Sequence, residues 1–202
     1  MLAIKDKRSG NTARVAIGGF AFALLAGGLY TLSLVAAPVA APLFALQPID
    51  VNTLPTPDKS GNRLVIPKLG INIAYDKGQP ALDRGAEWRS PTSGNPLDGG
   101  NFVIAAHRFS IQPTPMGTIE KSPFYHIDKL ANGDKIIVDY QGKRYGYEIT
   151  KQFTVQPTQI EIEARTNDPI LTMYSCSLDG AESDRHVIQA RRMGEVALAI
   201  NN

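Results

Sequence analysis

No charged residue stands between Arg14 and Asp50. The apolar run VAIGGFAFALLAGGLYTLSLVAA predicts a helix over Val15–Ala37, long enough to cross the roughly 30 Å hydrocarbon core of a bilayer. Pro38 and Pro42 are expected to end it. After Gln47 the chain turns polar and proline-rich, so residues 38–62 read as a linker or stalk. From Arg63 the pattern changes to short β-rich runs. RLVIPKL and INIAYD are broken at Gly70, and Gln79–Arg84 reads as a helical turn. WRSPTSGNPLDGGN reads as a loop, dense in Pro, Gly, Ser and Asn. NFVIAAH follows as a buried strand. SPFYHIDKL predicts a short helix with Ser122 as N-cap and Pro123 in its first position. DKIIVDY and KRYGYEITKQFTV pair through a tight turn at Gln141-Gly142, and PILTMYSC and RHVIQARR complete the set. This predicts a mainly all-β domain, a closed barrel or a sandwich with a few short helices, and periodicity does not choose between the two.

Charge sharpens this division. The 202 residues hold 21 Lys+Arg and 19 Asp+Glu. Residues 1–14 carry Lys5, Lys7, Arg8 and Arg14 against Asp6, and taking them away leaves 17 basic against 18 acidic. The basic balance belongs to the tail, and no Lys/Arg run with interleaved aromatics suggests a nucleic-acid partner. Two readings of the apolar run compete. A cleaved signal peptide would use the small residues of AAPVAAPLFA, but the run is long for that purpose. An uncleaved signal-anchor fits better, with basic residues before it placing the N-terminus in the cytoplasm. The expected order is then a cytoplasmic tail over 1–14, a transmembrane helix over 15–37, a stalk over 38–62 and an extracytoplasmic domain over 63–202.

Cys176 is the only cysteine, so no disulfide forms within the chain. It ends LTMYSC, and it is a buried core thiol, an intermolecular bridge or a nucleophile. A single thiol facing an oxidising exterior needs a reason. A nucleophile requires a proton acceptor, and there are three histidines. His107 closes NFVIAAH at a strand end beside a loop, where catalytic groups tend to sit. His126 lies beside Tyr125 in the expected short helix, which favours a packed or surface role. His186 follows Arg185, and strand alternation sends the two to opposite faces. Acyl transfer also needs an oxyanion donor. Arg185 offers a permanently charged guanidinium that an antiparallel return would bring alongside the thiol. Each residue also has a bland reading: a buried thiol, a hydrogen-bonded imidazole, a solvated arginine.

Neighbouring residues weigh on the catalytic side. LTMYSC followed by DRHVIQARR resembles the sortase signature, a strand ending TLxTC before an arginine strand. Thr172, Cys176 and Arg185 fall at the matching positions. NFVIAAHR resembles the family's strand into its His-Arg pair, and RLVIPKLGINIAYDKG its opening strands. The resemblance covers roughly Arg63 to Met193 and implies a closed sortase-type β-barrel carrying a cysteine transpeptidase. In that reading Cys176 attacks a Thr–Gly-type bond in the C-terminal sorting signal of a secreted protein, giving a thioester. His107 is general acid and then base, and Arg185 holds the carbonyl or oxyanion. The accepting amine belongs to a cell-wall precursor or a pilin lysine, and no cofactor or metal is implied. Thr172, Ser175 and Trp88 are candidate substrate-binding residues.

Two positions depart from the family pattern. Met173 replaces the usual leucine with a similar volume. Ser175 replaces the usual threonine, keeps the hydroxyl and loses a methyl, which touches substrate fine-specificity. Residues 38–62 contain no Asp-Pro plug, and GEVALAINN after Met193 is too short to span a membrane. Both favour a protein-anchoring type over a pilus-polymerising one. Two rivals stay open: an extracytoplasmic cysteine protease of another fold, and a non-enzymatic, membrane-tethered β-domain with an inert thiol.

Overall fold

The computed structural model describes residues 8–44, 46–178 and 182–196, without the side chains of 8–12 and 44. The part of the tail before Arg8 and the segment after Val196 lie outside the described residues.

Helix α1 runs from Arg8 to Phe44 and continues through Pro38 and Pro42, so neither proline ends it. Proline removes a helical donor, and the carbonyl of Pro38 would have bonded the missing N–H of Pro42. The imidazole of His126 takes that place, with Nε2 2.7 Å from the Pro38 oxygen. A carbonyl only accepts, so Nε2 carries the proton. Leu34, Ala37, Pro38 and Ala41 are buried, a one-sided helical stripe, and α1 packs there against the domain and its helix α3, Pro115–Glu120.

Residues 46–62 lie against the domain and not as a free stalk. The Ile49 N–H donates to the Pro67 carbonyl at 2.9 Å, and Arg144 donates to the Pro55 carbonyl at 2.8 Å. Gly70 has φ 67°, and a Cβ there would lie 2.3 Å from the Gln47 oxygen, so only glycine lets the two backbones meet.

The nine strands of the described residues are β1 Arg63–Ile66, β2 Ile71–Lys77, β3 Ala86–Trp88, β4 Gly94–Asn95, β5 Gly99–Ala105, β6 Lys135–Tyr140, β7 Lys143–Val155, β8 Ile170–Cys176 and β9 Arg185–Glu195. The sheet order is β3-β2-β1-β6-β7-β9-β8-β5-β4, and β3 also pairs with β5. That extra pairing closes eight strands into a barrel, leaving β4 as a short appendage and settling the choice against a sandwich. Only β2–β3 and β5–β8 pair in parallel. The barrel is filled by Leu64, Ile66, Phe102, Ile104, Ile136, Tyr147, Leu171, Met173 and Ile188.

Several local expectations hold. Gln79–Leu82 forms the short helix α2. Gln141 and Gly142 have φ 51° and 75°, the doubly positive pair that a two-residue hairpin turn demands. Two expectations do not hold. The stretch read as a loop from Trp88 begins within a strand, since Ala86–Trp88 pairs with both β2 and β5. The helix expected at Ser122-Pro123 forms earlier, as α3, where Thr114 accepts from the Gly117 N–H at 3.0 Å and Pro115 takes the first position. The Ser122 hydroxyl instead accepts from the Ser110 N–H at 3.0 Å, and only the three-residue 3-10 turn Ile127–Lys129 follows.

Candidate active site

Strands β5, β8 and β9 lie side by side; β8 ends at Cys176, β9 begins at Arg185, and His107 stands two residues past the end of β5. In the parallel β5–β8 pair Ala105 is level with Tyr174, and the Ala106 N–H donates to the Tyr174 carbonyl at 3.3 Å. Two residues further along each chain stand His107 and Cys176, so the two-residue repeat brings them to one sheet end and one face. Antiparallel pairing sets Arg185 directly opposite Cys176. The row therefore reads Arg185, Cys176, His107 at the ends of three adjacent strands, on the face opposite the core residues Leu171 and Met173.

All three line one cavity of about 380 Å³. Two cavities of about 450 and 510 Å³ lie elsewhere and are lined by neither a thiol nor an imidazole, so chemistry and not size selects this one. Cys176 is half-buried and unbridged. The imidazole of His107 is 31% exposed, with Nε2 3.6 Å from the exposed carboxylate of Asp83, just past α2. Arg185 donates from Nη1 to the Ser183 carbonyl at 2.8 Å, a bond that holds the guanidinium at the strand entrance.

The candidate substrate-binding residues are placed differently. Ser175 is among the residues lining the cavity, yet it is 2% exposed and its hydroxyl has no partner. Strand alternation turns its side chain away from the face of Cys176. Thr172 is fully buried, accepts from Gln189 Nε2 at 3.3 Å and does not line the cavity. Trp88 is buried among Phe102 and Tyr140, both edge-to-face with it, and does not line the cavity either. The other two histidines sit apart: His126 serves α1, and His186 faces Gln152, with Nε2 3.3 Å from Oε1. Burial and then the nearby Arg108 hold His186 below the usual imidazole range.

One wall of the cavity is a polar network. Arg89 Nε lies 3.0 Å from the Tyr174 hydroxyl and 3.3 Å from Glu163 Oε1, and its Nη1 lies 3.1 Å from Glu87 Oε2. Tyr174 and Ser90 also donate to Glu163. Glu163 closes the 3-10 turn Ile160–Glu163 in the connection from β7 to β8, so the network pins that connection over the strand that ends at Cys176. Burial pushes the Tyr174 phenol up, and its bond to Glu163 adds to this. Burial alone would raise the Glu163 carboxyl as well, but the bonds from Ser90 and Tyr174 and the charge of Arg89 hold it below its usual range. The sequence reading singled out neither Glu163, Tyr174 nor Asp83.

The sortase-domain family model matches residues 64–193. The chain belongs to the sortase family. Sortase A of Listeria monocytogenes is 23% identical over 124 residues, covering 61% of this chain. The match spans about half of that relative's length, 52%. Among solved structures, a Clostridium perfringens sortase D5 transpeptidase is 25% identical with a TM-score of 0.54, over 66% of this chain and 79% of that one. Sortase E1 from Streptomyces coelicolor, solved with a tripeptide in its active site, is 21% identical with a TM-score of 0.55, over 70% and 93%. At that identity the likeness shows the shared barrel fold.

Proposed function

We propose that this sortase is a membrane-anchored cysteine transpeptidase that moves a secreted protein, by way of its C-terminal sorting signal, onto an amine of the cell envelope. The observation that carries this reading is the row Arg185–Cys176–His107 at one sheet end, opening on a single cavity. The Cys176 thiolate attacks the scissile carbonyl; a C–S bond forms and the amide C–N bond breaks. The His107 imidazolium gives its proton to the departing amine. An incoming amine then attacks the thioester, loses a proton to His107 and expels the Cys176 thiolate. Arg185, directly opposite Cys176, donates to the carbonyl oxygen while it bears negative charge. The D5 relative's description as a transpeptidase and the tripeptide in the E1 relative's site support a peptide substrate and acyl transfer. Anchoring is supported by the apolar helix, whose Ala13–Leu43 stretch is long and apolar enough to span a bilayer. The basic residues before it put the N-terminus inside and the catalytic domain outside.

The test is to incubate the protein with a library of sorting-signal peptides, with and without an amine acceptor, and follow Cys176 by mass spectrometry. An acyl adduct that resolves into a new amide only when amine is present supports transpeptidation. An adduct that yields acid alone, whatever amine is supplied, identifies a hydrolase. No adduct and a thiol slow to alkylate would refute the enzyme reading.

A further inference from the structure

The exposure pattern of α1 divides the helix sharply. Every residue from Ala13 to Ser33 is exposed, and burial against the domain begins at Leu34. From Val15, the first residue after Arg14, to Ser33 the exposed stretch at about 1.5 Å per residue is about 28 Å long, close to the hydrocarbon thickness of roughly 30 Å. With α1 taken as a membrane span, the domain begins where the bilayer ends. Tyr30 lies one turn before that boundary, and its hydroxyl donates to the carbonyl of Pro113 in the segment between His107 and α3. That segment is thereby tied to the helix at the depth of the outer headgroups, a level where tyrosine is favoured.

The chemistry of the segment fits the same place. No charged residue occurs between Arg108 and Glu120. Phe109, Ile111 and Met116 are exposed there, Ile111 and Met116 each to more than half. The outward side of the docked turns, Val35, Val39 and Leu43, is exposed and apolar as well, which fits a helix that tilts in the bilayer.

We infer that the uncharged segment after His107 is a second membrane contact, in which Ile111 and Met116, flanked by Phe109, enter the outer headgroup–acyl boundary beside the anchor helix. The partner is the lipid bilayer itself. Because the segment starts two residues after His107, this contact fixes the catalytic cavity close to the membrane surface. The inference rests on the reading of α1 as a membrane span.

The lone cysteine makes the test direct. In the full chain carrying Cys176→Ala, single cysteines are introduced as Ile111→Cys, Met116→Cys, Leu24→Cys and Ile160→Cys. All four positions are exposed apolar residues, and Ile160 lines the catalytic cavity away from the segment. Each is labelled with an environment-sensitive fluorophore in phosphatidylcholine–phosphatidylglycerol vesicles containing lipids with a quencher at a shallow or a deep acyl position. Expected is deep quenching at Leu24, shallow quenching with a blue-shifted emission at Ile111 and Met116, and none at Ile160. Quenching at Leu24 with Ile111 and Met116 behaving like Ile160 overturns the inference and leaves the anchor intact. No quenching at Leu24 overturns the anchor reading and the inference with it.

Discussion

Cys176 and Arg185 are register partners, the last residue of one strand and the first of the next facing each other across an antiparallel ladder. The sheet register sets the arginine beside the cysteine, and the Ser183 carbonyl in the connection between them holds its guanidinium. In the proposed role a planar guanidinium meets a carbonyl oxygen that gains charge, and lysine would replace that fork by a flexible point charge. Arg185→Lys is expected to lower kcat/KM by about 10²-fold or more, the usual cost of losing an oxyanion donor. Peptide cleavage and amide formation measured side by side check this. Near-normal rates would remove Arg185 from the proposed chemistry.

Asp83 calls for the opposite expectation. Its carboxylate approaches His107 only to 3.6 Å and its side chain is 78% exposed. Exposed pairs of this kind contribute little, because water and salt screen them. Asp83→Asn should therefore cost no more than about fivefold in kcat/KM, while His107→Ala costs about 10²-fold or more, as loss of a general acid–base does. Equal losses in the two variants would make Asp83 an orienting partner in its own right.

Part of this geometry was legible in advance. Apolar runs placed Cys176 and His107 at strand ends, and the two-residue repeat sent Arg185 and His186 to opposite faces, as the structure has them. Barrel closure was not legible, because it depends on the pairing of β3 with β5, and β3 is three residues long inside a proline- and glycine-rich stretch. The Arg89–Glu163 contact joins residues 74 apart, and His126 reaches Pro38 across 88. Periodicity carries no information about such meetings. The helix start shows a subtler limit. Ser122-Pro123 carries a helix-start signal, yet the Ser122 hydroxyl is taken by the Ser110 N–H, and the helix starts at Thr114-Pro115 instead.

The polar wall of the cavity should respond to pH. The Glu163 carboxyl is held below its usual range in the folded protein, whereas in the unfolded chain it returns to about 4.3. As pH falls, the unfolded chain takes up the proton first, so the contribution of Glu163 is present at neutral pH and lost as pH drops through the lowered value. The difference in urea midpoint between the wild type and Glu163→Gln should be greatest at neutral pH and shrink below about pH 4. A difference that stays constant across this window would mean that charge on Glu163 plays no part. If the wall positions substrate, the same variant raises KM more than it lowers kcat.

Arg144 and Asp139 form the most deeply buried ion pair among the described residues, 3% and 5% exposed, with two bonds of 2.7 and 2.8 Å. Arg144 also holds the linker through Pro55. Removing one partner strands a buried charge, which typically costs about 3–5 kcal/mol. Asp139→Ala should lose that much in urea unfolding, and Asp139→Leu combined with Arg144→Met should recover most of it, because the second charge is gone as well. A double variant as unstable as the single one would show that the bond to Pro55 dominates.

His126 supplies the last test, because its role is to complete a helix that proline left incomplete. Its Nε2–H stands in for the N–H that Pro42 lacks, and it bonds a carbonyl already buried against the domain. Loss of that donor leaves a buried acceptor unpaired, at about 1–3 kcal/mol. That is enough to loosen docking of α1 without unfolding the barrel. In His126→Leu, amide exchange over residues 34–46 should accelerate by about tenfold or more while β5 and β8 stay protected. His126→Gln, whose amide can donate to the same oxygen, should restore part of the protection. Faster exchange throughout the barrel would place His126 in the core, and unchanged exchange at 34–46 would show that Leu34, Ala37 and Ala41 hold the helix by packing alone.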